Sequence, residues 1–359
     1  MASSTTTKPP VYVTMSALDA GHLTLPENLF VTDADPTKRA TVPSLSFLIQ
    51  HPSPPSSRPG NSTTTTTNLL FDLGIKRDLT SYAPAQAAHI AQRHPIIVDP
   101  DCAASLRNGT TENPQAADSA PLLDPSTEIN LILLSHVHWD HVGTPSDFPS
   151  ATFLVGSGTL SLLRHGAGPL YPADTFNSDE IPASRTVEFP PVSRPDGVYA
   201  SSEPRHTPSP ASARENLPPA AGGWGWQSLA GFPNALDLFG DGSVWVADAP
   251  GHLYGHVNLL CRTGPGRWVY LGGDCCHDPR ILRGEKGFAL YDDGKGGKRS
   301  VHVHTGVAKD TLDRIGEFVK MRGLEKGEEG DGEVQVEVVV AHDAEWREGN
   351  RHRFWPGRM

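Results

Sequence analysis

Four short apolar runs in this chain each end in a histidine or an aspartate, and that repetition limits what it can fold into. Ile129–Leu134 leads into His136-Val137-His138-Trp139-Asp140-His141, and Ser243–Ala247 into Asp248-Ala249-Pro250-Gly251-His252. Arg267–Leu271 leads into Gly272-Gly273-Asp274, and Val334–Ala341 into His342-Asp343. Short, continuous runs of this kind read as buried strands. Donors at their ends sit on loops at the rim of a sheet, and imidazole nitrogens and carboxylate oxygens suit zinc and similar divalent ions. His136 and His138 are two apart and project to the same side of an extended segment. Asp140 and His141 follow a turn and face a second ion, so the spacing suits two metals. His252 sits where a third imidazole completes the first site, and Asp274 is a candidate bridge. A chain with 16 histidines places many on its surface or in its core, but that explanation would be needed at four strand ends independently.

The set His136, His138, Asp140, His141, His252, Asp274 and His342 resembles the ligand set of the metallo-β-lactamase superfamily, over about Ser44 to Asp343. The resemblance implies an α/β fold, the αββα sandwich of two mixed β-sheets flanked by helices. It also implies two Zn2+ per chain. His136, His138 and His252 would hold the first and Asp140, His141 and His342 the second, with Asp274 between them. Within the superfamily the chain is similar to the two-zinc, quorum-quenching lactonases that open N-acyl homoserine lactones. The short connection from His252 to Asp274 and the cap Val340-Ala341-His342-Asp343 carry that likeness. Leu69-Leu70-Phe71-Asp72-Leu73-Gly74 matches the family's early strand, which makes Asp72 a candidate to fix the far nitrogen of a ligating imidazole. One position departs. Those lactonases carry a Tyr three residues after the bridging Asp, where it helps hold the substrate carbonyl. Here it is His277, which can donate a hydrogen bond, more strongly when protonated.

The expected chemistry is hydrolysis. Two divalent ions about 3.5–4 Å apart share a water and lower its pKa from about 15.7 towards 7. Asp140 has two roles, as a ligand and as a carrier of the proton from nucleophile to leaving group. Asp140 and His277 are thus the catalytic candidates, and a small-molecule lactone or ester is the expected substrate. A thioester, as in glyoxalase II or polyketide-releasing thioesterases, is open to the same attack. An iron-dependent sulfur dioxygenase of this fold is disfavoured, because one iron would leave Asp140, His141 and His342 without a purpose. Metal that only braces the fold is usually caged by four ligands rich in Cys, unlike this set.

Composition narrows the partners. The formal charge is 30 − 41 = −11, which disfavours nucleic acid, since phosphate contacts need clustered Lys and Arg. The cysteines, Cys102, Cys261, Cys275 and Cys276, have neither zinc-finger spacing nor a disulfide pattern, and Cys275 and Cys276 read as apolar filler. No apolar stretch has the length of a membrane helix and the N-terminal residues lack a signal-peptide core, so the expected compartment is the cytoplasm.

A single domain with loop insertions is expected. The loops fall at His51–Asn68, Asn108–Pro125, Glu203–Gly223, Gly284–Lys298 and Gly323–Gly332, all rich in Pro, Gly, Ser, Thr or charge. Ala83–Arg93, Ser157–Arg164 and Ala308–Arg322 read as helices. In the last, Leu312, Ile315, Phe318 and Val319 form one apolar face, read as core packing. Trp224, Trp226 and Phe232 either line an apolar substrate pocket or belong to the core, and the core is the plainer reading. His302 and His304 could reach the site mouth but are not expected as ligands, and His256 is expected to orient the turn after His252.

Overall fold

The computed structural model describes residues 9–53, 65–109, 122–193, 205–214, 217–320 and 334–359. The first sheet contains β1 (Thr14–Pro26), β2 (Arg39–Ser53), β3 (Thr65–Phe71), β4 (Leu131–Leu133), β5 (Thr152–Val155) and β6 (Thr186–Glu188), in that spatial order. Its first three strands are antiparallel neighbours and the rest run parallel. The second sheet contains β7 (Gln227–Leu229), β8 (Phe232–Asp237), β9 (Val244–Asp248), β10 (Val257–Gly264) and β11 (Arg267–Leu271). The short pair β12 (Tyr291–Asp292) and β13 (Lys298–Arg299) stands apart, and β14 (Gln335–Val339) closes the second sheet by parallel pairing with β11. Both sheets are therefore mixed.

Alternation along the strands builds the layers. On β2, Leu45, Phe47 and Ile49 face the other sheet; on β10, Val257, Leu259 and Cys261 do the same. Leu48 and Leu260, one residue out of phase, face outwards, as the period-two geometry of a strand requires. Outside the first sheet pack α2 (Cys102–Asn108) and α4 (Thr159–His165), which contribute Leu106, Leu162 and Leu163. Outside the second packs α5 (Thr305–Lys320), whose Ile315 and Phe318 meet Trp268 and Tyr270. Apolar surface on both faces of both sheets explains why the core runs read as continuous. The result is a four-layer αββα sandwich.

Several boundaries move. The helix expected over Ala83–Arg93 is α1 (Pro84–Ile90) followed by a 3₁₀ turn, Ala91–Arg93. Of the loop expected at His51–Asn68, both described ends are strand, because the β2–β3 ladder continues through Thr67 and Thr66 opposite His51 and Pro52; β-branched Thr suits a strand. Residues 54–64, 110–121 and 321–333 lie outside the described residues, and with them most of two expected loops and all of Gly323–Gly332. The Gly284–Lys298 segment carries the β12 strand and runs to β13. β1 was not evident from the sequence: it is buried on both faces and bulged between Asp19 and His22, which erases the alternation that marks a strand. No helix among the described residues is long and apolar enough to cross a membrane.

Candidate metal centre

The seven residues singled out at the strand ends come together at one rim of the sandwich. β4 ends at Leu133, and Ser135 ties both sheets at this point: its N–H donates to Asp72 Oδ1 (2.6 Å) and its carbonyl accepts from Val257 N (2.8 Å). His136 and His138 follow in extended backbone. The one-turn helix α3 (Trp139–Val142) then carries Asp140 and His141. His252 rides on the turn after β9, where Gly251 has φ 123° and a Cβ would come 2.2 Å from Ala308 N; only glycine allows α5 that close. Asp274 follows Gly273, at φ 48°, and His342 follows β14.

Three imidazole nitrogens form a tight triangle. His136 Nε2 is 2.9 Å from His138 Nδ1, His252 Nε2 is 3.0 Å from His138 Nδ1, and His252 Nε2 is 3.2 Å from His136 Nε2. Three such atoms cannot satisfy one another by hydrogen bonds, because each neutral ring has a single N–H. A triangle of that size fits one cation at Zn–N distances of about 2.0–2.1 Å. Burial, with the neighbouring imidazoles, holds all three pKa values well below the usual 6.5, which keeps them neutral and able to ligate.

A second group faces the same carboxylate. His141 Nε2 and His342 Nε2 lie 3.3 and 3.2 Å from Asp274 Oδ1, and His342 Nε2 lies 3.6 Å from Asp140 Oδ2. Asp274 Oδ2 turns the other way, 3.7 Å from His136 Nε2 and 3.5 Å from His252 Nε2. Thus one oxygen of Asp274 serves each trio. His141 Nε2, His342 Nε2 and Asp274 Oδ1 are buried with no hydrogen-bond partner among the described residues. Orphaned, converging donors are what a cation would satisfy, so the residues present fit two ions. Burial opposes charge on His141, but Asp274 and Asp72 outweigh it and raise its pKa well above the usual value. Burial likewise opposes ionisation of Asp274, yet His141, His342 and His277 hold it well below the ordinary carboxylate range.

Several far ring nitrogens are held, although His138 Nε2 is buried without a partner among the described residues. His141 Nδ1 is 2.9 Å from Asp72 Oδ2, the contact expected of Asp72, and His342 Nδ1 donates to Pro43 O (2.8 Å). His136 Nδ1 faces Ser135 Oγ (2.9 Å). His256 donates through Nδ1 to Ala249 O (3.0 Å) and accepts from Asp274 N at Nε2 (3.2 Å), so it fixes both the turn and the bridge. His302, which could reach the site mouth but was not expected as a ligand, lies against His252: its Nδ1 is 3.1 Å from His252 Nδ1. The residues around it anchor the His252 turn, with Val303 N donating to His252 O and His304 N to Gly251 O. The alternating Val301-His302-Val303-His304 was the only trace of this in the sequence.

A cavity of about 260 Å³ opens over the cluster. Trp139, Asp140, His277 and His342 reach it from the metal side; Leu25, Phe30, Leu170 and Phe176 supply apolar wall. His277 Nε2 is 3.1 Å from Asp274 Oδ2 and its ring packs 4.6 Å from Phe30. Trp224 and Trp226 are elsewhere: they pack on Phe189 and donate to Leu238 O and Pro190 O. Phe232 stacks on Tyr270 at 5.5 Å. All three belong to the core. Cys275 and Cys276 are buried there too.

No family model matches the chain. Among known proteins it is 30% identical over 220 residues to the metallo-hydrolase mfmC of Annulohypoxylon moriforme, covering 60% of this chain and 47% of that protein. To the γ-lactamase MBL2 of Gibberella moniliformis it is 29% identical over 213 residues, 58% of this chain and 70% of the relative. To the cytochrome P450 monooxygenase mpaDE' of Penicillium brevicompactum it is 27% identical over 355 residues, 97% of this chain but 35% of the relative. The chain thus spans about a third to a half of the length of two of these three relatives. Among solved structures, a mutant of AiiA from B. thuringiensis, with N-decanoyl-L-homoserine bound at its active site, superposes with a TM-score of 0.57 at 14% identity, covering 98% of this chain and all of that one. A quorum-quenching N-acyl homoserine lactone lactonase gives 0.56 at the same identity and coverage. Two mixed sheets with helices on both outer faces are the architecture this likeness shows. The chain has the metallo-β-lactamase fold.

Proposed function

We propose that this chain is a metal-dependent hydrolase that opens a lactone or related ester with two zinc ions. The observation that carries the reading is the division of Asp274, one oxygen towards His136 and His252, the other towards His141 and His342. In this reading His136, His138 and His252 hold one ion, Asp140, His141 and His342 the other, and Asp274 both. When bound, such a pair supplies hydroxide at neutral pH and an electrophilic grip on a carbonyl oxygen.

The chain's own residues do the rest. Neutral His136, His138 and His252 present lone pairs without a protonation cost. Asp140, on the rim of the cavity, accepts the nucleophile's proton and returns it to the departing alkoxide. His277, with Nε2 held by Asp274, presents a second N–H to the carbonyl oxygen when its ring is protonated. The apolar wall excludes water around the reacting carbonyl.

The names of two relatives, both γ-lactamases, favour a second reading in which the opened ring is a cyclic amide. The test is a panel of γ- and δ-lactones, N-acyl homoserine lactones, γ-lactams and acyl-glutathione thioesters on zinc-loaded protein, with metal content measured. Two zincs per chain and turnover concentrated in the lactones are expected. Turnover confined to lactams or thioesters would replace the lactone, and a single iron with oxygen uptake would overturn hydrolysis.

A further inference from the structure

Arg93 is the least expected residue of the cavity wall. It closes the 3₁₀ turn after α1, is only 7% exposed, and lines the cavity above the metal cluster. Among the described residues its guanidinium has no hydrogen-bond or ion-pair acceptor; its close neighbour is the Phe30 ring, 5.9 Å from the guanidinium carbon. A ring face attracts a cation but does not neutralise it. Arginine stays charged in proteins, and burying a charge without a partner is costly. This chain has 41 acidic residues against 30 basic ones, yet none of the described ones pairs with Arg93. Asp140 is near enough to act on it through space, but Asp140 belongs to the metal cluster.

The backbone holds Arg93 in place. Arg39 donates to Gln92 O (2.7 Å), and Thr24 Oγ1 to Pro95 O (2.8 Å). His22 and Ile97 exchange a pair of backbone bonds, each 2.8 Å. A second guanidinium, Arg299, lies over the Tyr291 ring at 4.8 Å and lines the same cavity. Apolar wall, a fixed buried cation and a cation nearer the mouth together describe a receptor for an apolar body with an anionic group.

We propose that Arg93 binds a carboxylate on the substrate, separate from the ester that is cleaved. The planar guanidinium fork matches a carboxylate bidentately. A cavity of about 260 Å³ suits a small ring compound and not a nucleotide-sized carrier. The substrate is then a lactone acid, and its ring-opened hydrolysis product a hydroxy-dicarboxylate. This inference rests on the hydrolase reading for the chemistry, but not for the anion site itself.

Two experiments on zinc-loaded full-length chain separate the two. The first measures binding of benzoate and benzamide by calorimetry. Benzoate is expected to bind more tightly, and Arg93→Gln to weaken it on the order of 10- to 100-fold, the range of a charge-assisted hydrogen bond, while zinc content and benzamide binding hold. The second compares kcat/KM for γ-butyrolactone-3-carboxylate and γ-butyrolactone-3-carboxamide. The acid is expected to be preferred by about tenfold or more, with the preference collapsing in Arg93→Gln and partly restored in Arg93→Lys. Benzoate affinity unchanged in Arg93→Gln, or no acid preference in the native chain, overturns the anion site and leaves the hydrolase untouched. Arg93-dependent benzoate binding without turnover of either lactone overturns the hydrolase and leaves the site standing. Phenyl phosphate binding more tightly than benzoate, through Arg93, overturns the carboxylate in favour of a phosphoryl group. Should Arg93→Gln not fold, the native acid preference and Arg93→Lys decide.

Discussion

The floor of the cavity and its wall are built in different ways. The floor is made of strand ends: His136, Asp274 and His342 each follow a core strand within a few residues, so the packing of the sandwich fixes their backbone. The wall is borrowed from elements far apart in sequence, including Leu25 from β1, Arg93 from a turn, Phe176 from a connecting segment and Arg299 from β13. Chemistry that needs atoms held within tenths of an ångström sits on the rigid part. In the proposed hydrolase, substrate choice would sit on the part that can vary without disturbing the sheets.

The sharpest way to break this contrast is to remove the shared carboxylate. Asp274→Ala is expected to lose both ions and turnover, by more than the roughly 10–100-fold typical of a residue that only orients a ligand; elemental analysis together with kcat checks it. Retention of two zincs would mean the floor is not centred on Asp274. Next comes Asp72→Ala, which strips the far nitrogen of His141 and two bonds to Ser135. A loss of about 10–100-fold in zinc affinity is expected, read by competition with a chelator.

A pH series on metal-free protein tests the floor without its ions. Burial pushes the His256 pKa down to about 4 from 6.5. Between these values the unfolded chain holds a proton that the folded chain rejects, so stability is full above 6.5 and lost as pH falls towards 4, on the order of 3 kcal/mol. His136, His138 and His252 act in the same direction. His141 and His342, raised, act oppositely: their contribution is present below 6.5 and lost as pH rises through their folded values. Denaturant titrations should therefore show a falling midpoint on acidification, with a shallower slope in His256→Gln.

The smallest effect belongs to the wall. Leu25→Ala, which trims apolar lining without touching a candidate ligand, is expected to raise KM several-fold, in keeping with the few kcal/mol at most that a buried apolar contact is worth, while zinc content stays constant. A fall in zinc content instead would mean that wall and floor are not separable.

How far the sequence could be read follows the same division. The β11 strand, Arg267–Leu271, was visible to the residue, because a continuous apolar run needed burial and Gly272 ended it. The β4 run was visible too, although regular pairing covers only Leu131–Leu133. β1 was hidden by its bulge, and the short strands β5 and β6 by their length. Asp72 could be suspected from its place after a strand; for His302 only a reach to the site mouth was legible, and not its contact with His252 across 50 positions. Nothing around Arg93 signals a binding residue; in the sequence it is the lone Lys or Arg at the end of the helical stretch Ala83–Arg93.

By itself, then, the sequence marked the strands and the ligand-type side chains at their ends, since burial and ligand chemistry are local properties written residue by residue, and the resemblance those residues carry implied the sandwich. Only the tertiary structure decided which oxygen of Asp274 faces which trio, which nitrogens are braced, and that a guanidinium stands over the cluster without a counter-ion among the described residues. Those are relations between distant segments, and packing of the two sheets and their covering layers is what brings them within reach of one another.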